Sequence, residues 1–403
     1  MFKLIVKMAW KNSFLRLSRT LLVIIMIAVS MSMMLGIQGL YDGMADTMID
    51  KNRRSGSGDV SIFAKGYRVN KDLQYRIKNA DELSAEIKKI EGVKELVLRV
   101  KAEGLLSTAR KSSFASMQGI DLRAEESFGD FSEFLKEGEI NLEGQGALIG
   151  LELAKRLKVT IGSKLVFSTQ DSSGEINSIA LRIRAIMQTT NIVLDTNAIF
   201  IDAKKMHRFL GTDSSEATQI AIMTADKKTN DLLKANFSDL DVKSFLQLQP
   251  MMKQMQDVMI IFNSITFFIV MTVVFIGILG VMYVSVLDRI REFGIAMGIG
   301  MQYRYIRIQI CLEALFVGFI GYLGGALLGA LFLLYLRDYG LDLSAFSDAL
   351  EMWGYASTIK GTIKISYFTT TFAAIISASL FSVFIPLRKI KRLNPIEVIK
   401  AEK

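Results

Sequence analysis

Four long apolar runs divide the chain into membrane-type and polar stretches. They cover residues 21–40, 258–286, 308–336 and 366–387, and Glu313 is the one charged side chain that falls within them. Each run has the roughly 20 residues that a helix needs to cross a bilayer. The pattern therefore predicts four transmembrane helices. The polar stretch 41–257, between the first two, is long enough to fold as a domain with its own core.

Within this polar stretch, strand-like and helical patterns alternate. Runs rich in β-branched residues and bounded by Gly, Asp or Ser predict strands at 60–64, 93–100, 113–119, 147–149, 179–187, 198–201 and 218–223. Helical spacing of apolar residues predicts helices at 80–90, 151–157, 203–210 and 226–237. Residues 53–58 and 171–174 have the composition of loops. The domain is therefore expected to be α+β, with helical ends that continue the first two spans as a stalk.

The N-terminal residues 1–20 are basic and amphipathic. They carry five cationic side chains and two aromatic ones, namely Lys3, Lys7, Lys11, Arg16, Arg19, Trp10 and Phe14. This composition predicts a helix that lies at the interface of a negatively charged leaflet. A cleaved signal peptide is the alternative, but its apolar region is about 7–15 residues long and ends at a small-residue cleavage site. The run 21–40 is longer and has no such site.

The chain has a net charge of +9, and the distribution of its basic residues beside the spans predicts its orientation. Five basic residues precede the first span, four lie in the segment 287–307, and six lie in the tail 388–403. The opposite loop, 337–365, has three basic residues, Arg337, Lys360 and Lys364, and four acidic ones. Because basic residues accumulate on the cytoplasmic side, we expect both termini and segment 287–307 in the cytoplasm and the large domain outside. The basic residues flank apolar runs, which favours a membrane surface over nucleic acid as their partner.

Most catalytic chemistry is excluded by composition. The chain has one cysteine, Cys311, and one histidine, His207, so it can form neither an internal disulfide nor a Cys/His metal cluster. A P-loop pattern is absent, and the glycine-rich residues 144–150 lack the dinucleotide-binding spacing. We therefore predict that this chain is not an enzyme and holds no catalytic residue, metal or cofactor of its own.

Two features inside the spans leave alternatives open. Glu313 is an intramembrane acid and hence a functional candidate. It lies about five residues into its span, about 7.5 Å along a helix, so it either neutralises Arg307 or Arg304 or handles a proton or substrate. The third span also carries glycines at four-residue spacing, Gly321, Gly325 and Gly329. This spacing permits close helix packing, within one subunit or between two.

The charged segment 287–307 lies between two spans and is too short to be a domain. Asp288, Arg289, Arg291 and Glu292 fall within one helical turn, beside the apolar residues Phe293, Ile295 and Met297. This composition suits docking into a groove on another protein, where charges fix the register and apolar side chains provide affinity. A membrane-surface turn without a partner is the alternative.

Several motifs resemble those of the ABC exporter superfamily that includes FtsX, MacB and the lipoprotein-releasing Lol permeases. Residues 288–295, DRIREFGI, are similar to the family's coupling stretch E-R-x-R-E-I-G-I, and Gly298-Ile299-Gly300 occupies its small-Ile/Leu-Gly position. Residues 394–397, NPIE, resemble its C-terminal P-x-E motif. Residues 146–157 and 161–164 resemble its periplasmic core-domain signature. Ala296-Met297 departs from the Leu-Arg of many members.

The resemblance implies a type VII (MacB/LolCE-type) ABC exporter permease in a bacterial inner membrane. Such a permease pairs with an identical or related permease and binds two copies of an ATPase subunit, which carries ATP and Mg²⁺. The implied ATPase-coupling residues are Asp288, Arg289, Arg291, Glu292, Phe293, Gly294, Ile295, Gly298 and Gly300. The implied activity is mechanical extraction of lipoproteins from the outer leaflet.

For lipoprotein-releasing members, the resemblance further implies an acyl-chain cavity between the first and second helices of the paired subunits. By position, the residues facing such a cavity are Met34, Ile37, Leu40, Phe262 and Phe267. A MacB-like tripartite efflux permease and an FtsX-like regulator of periplasmic partners are the two alternatives.

Overall fold

The computed structural model describes residues 2–189, 191–346 and 358–391. They form two compact units. Among the described residues, the first unit, which we call the membrane unit, comprises residues 2–45, 256–345 and 358–391, and the second, the sheet unit, comprises residues 46–189, 191–255 and 346. The described residues contain four helices long and apolar enough to cross a membrane, namely Leu17–Ser57, Pro250–Asp288, Tyr303–Asp338 and Ile365–Lys391. The predicted fold class, four spans plus a large mixed α/β domain, is confirmed.

The helices are α1 Phe2–Ser13, α2 Leu17–Asn52, α3 Tyr67–Asn70, α4 Ala80–Ile87, α5 Leu122–Gly129, α6 Leu151–Leu157, α7 Ile192–Asn197, α8 Ala203–Leu210, α9 Lys227–Asn236, α10 Phe245–Leu248, α11 Pro250–Asp288, α12 Ile290–Gly298, α13 Tyr303–Asp338, α14 Ile365–Ser382 and α15 Phe384–Lys391. The strands are β1 Val60–Phe63, β2 Val93–Ser107, β3 Ser112–Ile120, β4 Leu135–Gly138, β5 Gly146–Gly150, β6 Lys164–Gln170, β7 Ile176–Met187, β8 Ala198–Asp202, β9 Gln219–Thr224, β10 Asp241–Ser244, β11 Leu341–Asp342 and β12 Thr358–Ile359.

In the membrane unit, the glycine stripe of α13 packs against α2. A Cβ atom added at Gly321 would lie 2.8 Å from Ile27, and one added at Gly329 would lie 2.5 Å from Leu35. Gly325, between them, faces the backbone of Ala28. The small residues therefore allow the two helices to approach closely. Of the two interpretations that the sequence left open, this stripe serves packing within one subunit.

The N-terminal segment 1–20 is not the single helix that its composition predicts. Helix α1 ends at Ser13 and α2 begins at Leu17. The Thr20 hydroxyl donates to the Ser13 carbonyl at 2.7 Å and closes the turn between them. Residues 17–20 thus belong to the spanning helix, and α1 is a separate element.

The fourth span is also interrupted. The apolar run 366–387 predicts one helix, but α14 ends at Ser382 and α15 begins at Phe384. Pro386 explains the break, because proline lacks the N–H that would bond to the carbonyl one turn earlier. Residues 388–391 of the predicted tail continue α15. The rest of that tail, 392–403, with the NPIE motif, lies outside the described residues.

The sheet unit is built on a ten-stranded mixed sheet in the order β10-β1-β9-β2-β3-β8-β5-β7-β4, with β6 paired to β2 and β7. The β3–β8 and β5–β7 pairs are parallel, and the other pairs in this sheet are antiparallel. The long strand β2 joins two parts of the sheet. Its first half pairs with β9, and its second half pairs with β3 and β6.

All seven predicted strands are present, although β2 runs seven residues further than expected. Helices α6 and α8 have their predicted bounds. The prediction missed β4, β6 and β10. The predicted loop 53–58 is wrong for its first five residues, which form a π-helical turn, Arg53–Ser57.

Ion pairs explain why this Gly- and Ser-rich segment is ordered. Arg53 pairs with Asp59, and Arg54 pairs with Asp130 at 2.8 Å. Arg99 of β2 donates to the Gly56 carbonyl. Arg99 is itself 3% exposed and forms a two-pronged pair with Glu125 of α5, with N–O distances of 2.5 and 2.6 Å. The turn is therefore held by Asp59 just before β1, by Asp130 just after α5 and by Arg99 of β2.

Candidate functional site

The predicted coupling segment contains one short helix, α12, that lies between the spans α11 and α13. Arg289 separates α11 from α12 and is the N-cap of α12. Its carbonyl accepts a hydrogen bond from the Phe293 N–H at 3.1 Å. The helix ends in a Schellman motif. The Met301 N–H donates to the Ala296 carbonyl at 2.9 Å, and Gly300 has a φ of 101°. This backbone conformation explains why glycine follows the helix end.

A buried ion pair fixes the start of α12 to α13. The Arg289 Nη1 lies 3.0 Å from the Glu313 Oε1, which also accepts from the Gln309 Nε2 at 3.1 Å. Glu313 is 2% exposed, and the Arg289 guanidinium also stacks over the Phe293 ring at 5.0 Å. The intramembrane acid is therefore neutralised by a cation from the coupling segment.

The prediction that Glu313 pairs with Arg307 or Arg304 is wrong, because its partner is Arg289. Arg307 and Arg304 precede Glu313 by six and nine residues on the same helix. At 3.6 residues per turn, those positions point away from it, whereas Gln309, four residues earlier, lies on the same face. The correct partner comes from the preceding element, because the break at Arg289 turns its side chain back onto α13.

A second contact ties the same junction to the N-terminal helices. Asp288 lies 2.5 Å from the Arg16 Nη1 and 3.1 Å from the Arg19 Nη1. Together with Arg289 and Glu313, these side chains line a cavity of about 230 Å³. The junction between α11 and α12 is thus held by three opposite-charge contacts from α1–α2 and α13. The sequence pattern did not identify Arg16, Arg19 or Gln309 as part of this site, since pairing across elements leaves no periodic signal.

The remaining coupling residues divide between an outer and an inner face of α12. Arg291, Glu292 and Ile295 are exposed, and the Ile295 side chain is 45% exposed. Phe293 and Gly294 are buried, with Phe293 only 4% exposed. The predicted position of Phe293 on an apolar docking edge is therefore wrong, because this side chain packs against buried residues of the spans. Gly298 and Gly300, at the helix end, are exposed.

The five residues expected at an acyl-chain cavity do not share one environment. Met34 is fully buried within the chain and presents no open surface. Phe262 is 60% exposed, whereas Ile37, Leu40 and Phe267 are partly buried. Within the most apolar 18-residue stretch of α11, only 17% is buried by the rest of the chain, against 33–44% for the other three spans. Its apolar surface is therefore largely uncovered by this chain.

Two family models match the chain. Residues 20–240, more than half of the chain, match the MacB-like periplasmic core domain. Residues 264–395 match the FtsX-like permease C-terminal domain. Residues 241–263 lie between the two matches and contain β10, α10 and the first turns of α11.

Similar proteins include two macrolide export ATP-binding/permease proteins MacB. The protein from Chlorobium luteolum is 22% identical over 427 residues, covering 98% of this chain and 60% of the relative. The protein from Pasteurella multocida is 25% identical over 254 residues, covering 59% of this chain and 36% of the relative. The chain thus spans less than two thirds of the length of these relatives. Among solved structures, the periplasmic region of MacB from Actinobacillus actinomycetemcomitans matches with a TM-score of 0.34 and 15% identity, over 50% of this chain and 96% of that one.

Proposed function

The chain belongs to the family of ABC permeases with a MacB-like periplasmic core domain, and from this membership we propose that it is the transmembrane subunit of an ATP-driven complex. The complex extracts lipoproteins or other lipidic cargo from the outer leaflet of the inner membrane. ATP hydrolysis is supplied by separate ATPase subunits, two copies for each pair of permeases. The second permease is a copy of this chain or a relative.

The observation that carries this proposal is the two-sided construction of α12. Its inner face is held by Arg289 and Phe293, and its outer face presents Arg291, Glu292 and Ile295 to a partner. Charges beside an exposed apolar side chain provide both orientation and affinity in a protein interface. A force applied to the outer face would reach α13 through Glu313 without passing through a flexible linker.

The orientation follows from the distribution of charge. The N-terminal segment, α12 and α15 carry most of the basic residues near the spans, so we place them in the cytoplasm and the sheet unit outside. A test uses a variant in which Cys311 is replaced by alanine. Ser173→Cys in the β6–β7 turn should react with a membrane-impermeant maleimide in intact cells, and Arg291→Cys should react only after lysis. The reverse labelling pattern contradicts the orientation.

The proposed cargo is lipidic because α11 leaves a broad apolar surface uncovered. Phe262, Ile265 and Phe268 are more than half exposed near the outer end of this helix. Such a surface fits an acyl chain, membrane lipid or the second permease. The test is to purify the complex from membranes and identify bound lipid-modified protein by mass spectrometry. Recovery of a periplasmic adaptor and an outer-membrane channel in place of lipid-modified protein would contradict extraction.

The docking role of α12 has a direct test. In the double variant Arg291→Ala/Glu292→Ala, the ATPase should no longer co-purify with the permease. The matched control is Arg337→Ala/Asp338→Ala, which removes an exposed pair from the other end of α13. If the ATPase co-purifies with the first variant and is stimulated normally, α12 is not its docking site.

A tripartite efflux permease is the second candidate. The names of the two relatives, which include macrolide export, favour it. Under this alternative, the sheet unit binds a periplasmic adaptor, and the purified complex contains no lipid-modified protein. An FtsX-like regulator that transports nothing is the third candidate, distinguished by ATPase activity that is unaffected by any cargo.

A further inference from the structure

Helix α1 uses one face for packing and leaves its cationic face free. Ile5, Ala9 and Ser13 are buried at intervals of four residues. The Trp10 ring meets the Phe316 ring of α13 edge-on, with centroids 5.3 Å apart. These contacts hold α1 against α13 at the end of the spans where α12 lies, since Arg16 and Arg19 just beyond it pair with Asp288.

The lysines of α1 form a separate stripe. Lys3, Lys7 and Lys11 recur every four residues, are exposed, and have no acidic partner in the described part of the chain. The sequence contains no acidic residue before Asp42. Within the described residues, the acids beside this segment pair with arginines: Asp288 pairs with Arg16 and Arg19, and Glu292 and Glu313 pair with Arg289. The lysines therefore retain an uncompensated positive charge.

Beside this stripe lies an open apolar groove between α1 and α13. It is lined by Leu4, Val6, Trp10 and Phe316 together with Lys3 and Lys7. Leu4 and Trp10 are each about half exposed or more. Aromatic and long cationic side chains at a bilayer surface place their apolar parts among acyl chains and their polar parts among head groups. The groove thus combines apolar side chains with two exposed lysines.

We propose that this groove binds one anionic phospholipid of the leaflet at the α12 end. Its phosphate group lies between Lys3 and Lys7, and one acyl chain lies against Trp10 and Phe316. Lipid is favoured over free phosphate because the other residues that line the groove are apolar. Each lysine near an anionic membrane surface is expected to favour binding by roughly fivefold. The inference is independent of the cargo and of the ATPase partner.

Trp10 provides the reporter for a test. The chain has two tryptophans, Trp10 and Trp353, so Trp353→Phe leaves Trp10 alone. The full chain is reconstituted into phosphatidylcholine bilayers that contain either acyl-brominated phosphatidylglycerol or acyl-brominated phosphatidylcholine in equal amounts. Brominated phosphatidylglycerol should quench Trp10 more strongly. Lys3→Gln/Lys7→Gln should lower the affinity of the groove for phosphatidylglycerol relative to phosphatidylcholine by roughly 25-fold, because each lysine contributes roughly fivefold.

The matched control is Lys227→Gln/Lys228→Gln on α9, which removes the same charge from exposed positions and should keep the preference. A second readout is the phospholipid that co-purifies with the detergent-extracted chain, which should lose its anionic component in the Lys3/Lys7 variant alone. Equal quenching by the two lipids overturns the proposal. So does a Lys3/Lys7 variant that retains the preference in both readouts, or a control variant that loses it as fully.

Discussion

The Arg289 guanidinium and the Glu313 carboxylate meet at 3.0 Å, although 24 positions separate them in the chain. One belongs to the break before α12 and the other to the interior of the next span. Because Glu313 also accepts from Gln309, two donors hold its carboxylate. The pair thus makes the start of α12 and the body of α13 parts of one rigid joint.

Breaking this pair should affect both stability and coupling. Glu313→Gln keeps the shape of the side chain but leaves the Arg289 charge largely buried. Removing one partner of a buried ion pair costs about 3–5 kcal/mol, and we expect the lower end because Glu292 lies 3.2 Å from Arg289. The measurements are thermal unfolding of the detergent-solubilised chain and stimulation of the co-purified ATPase, both of which should fall.

The double variant Arg289→Met/Glu313→Met separates these two effects. Replacing both charges with apolar side chains of similar volume leaves no buried charge, so the unfolding temperature should recover. ATPase stimulation should stay low if the pair orients α12. Unchanged stimulation in Glu313→Gln, at normal stability, would show that the pair has no part in the joint.

The two faces of α12 should respond differently to substitution. Phe293→Ala removes a buried aromatic side chain and should lower the free energy of unfolding by about 3–5 kcal/mol. Ile295→Ser alters a side chain that is 45% exposed and should leave unfolding unchanged. Co-purification of the ATPase should fall in Ile295→Ser. If instead Phe293→Ala alone releases the ATPase from a normally folded chain, the inner and outer faces are reversed.

The sequence predicted the elements better than the contacts between them. Helices α6 and α8 were placed correctly because their apolar positions recur with a clear helical period. The α12 segment was recognised because its charges lie within one turn. The partner of Glu313 could not be found in this way, since it depends on how the chain folds back at Arg289. The π-helical turn at Arg53–Ser57 was missed for a similar reason: besides the nearby Asp59, its order depends on Asp130 and Arg99, which are distant in the sequence.

The glycine stripe of α13 should tolerate no side chain. A Cβ atom at Gly325 would lie 2.8 Å from the Met31 Cβ and 3.0 Å from the Ala28 carbonyl oxygen. Gly325→Ala should therefore separate α2 from α13 and destabilise the chain by about 1–3 kcal/mol. Gly280→Ala, on α11, is the control, because nothing lies within 4 Å of the added atom. Thermal unfolding of both variants in detergent checks this; equal stabilities would contradict the packing.

Asp195 should make the sheet unit less stable as pH rises. Burial raises the pKa of this carboxyl from 3.8 to about 6, although Thr189 donates to it from both its N–H and its hydroxyl at 2.8 Å. The folded state therefore binds a proton that the unfolded state has released, and stability falls between these two pKa values. Above pH 6 the loss is complete and amounts to on the order of 2–3 kcal/mol.

Asp195→Asn stays neutral, and its side-chain oxygen can still accept from Thr189. At pH 7 it should raise the unfolding temperature, by about 2–4 °C for each kcal/mol in a unit of this size, and at pH 4 it should not.

Asp171→Asn provides the opposite case, since hydrogen bonds from Ser173 lower the pKa of Asp171. That variant should lose stability at neutral pH and approach the unchanged chain as the pH falls below the ordinary range of an aspartate. Unfolding temperatures of the full chain from pH 4 to 7 measure the Asp195→Asn difference, and a scan continued below the ordinary aspartate pKa of 3.8 measures the Asp171→Asn difference. An Asp195→Asn benefit that is equal at pH 4 and pH 7 would mean that ionisation of this carboxyl is not its cause.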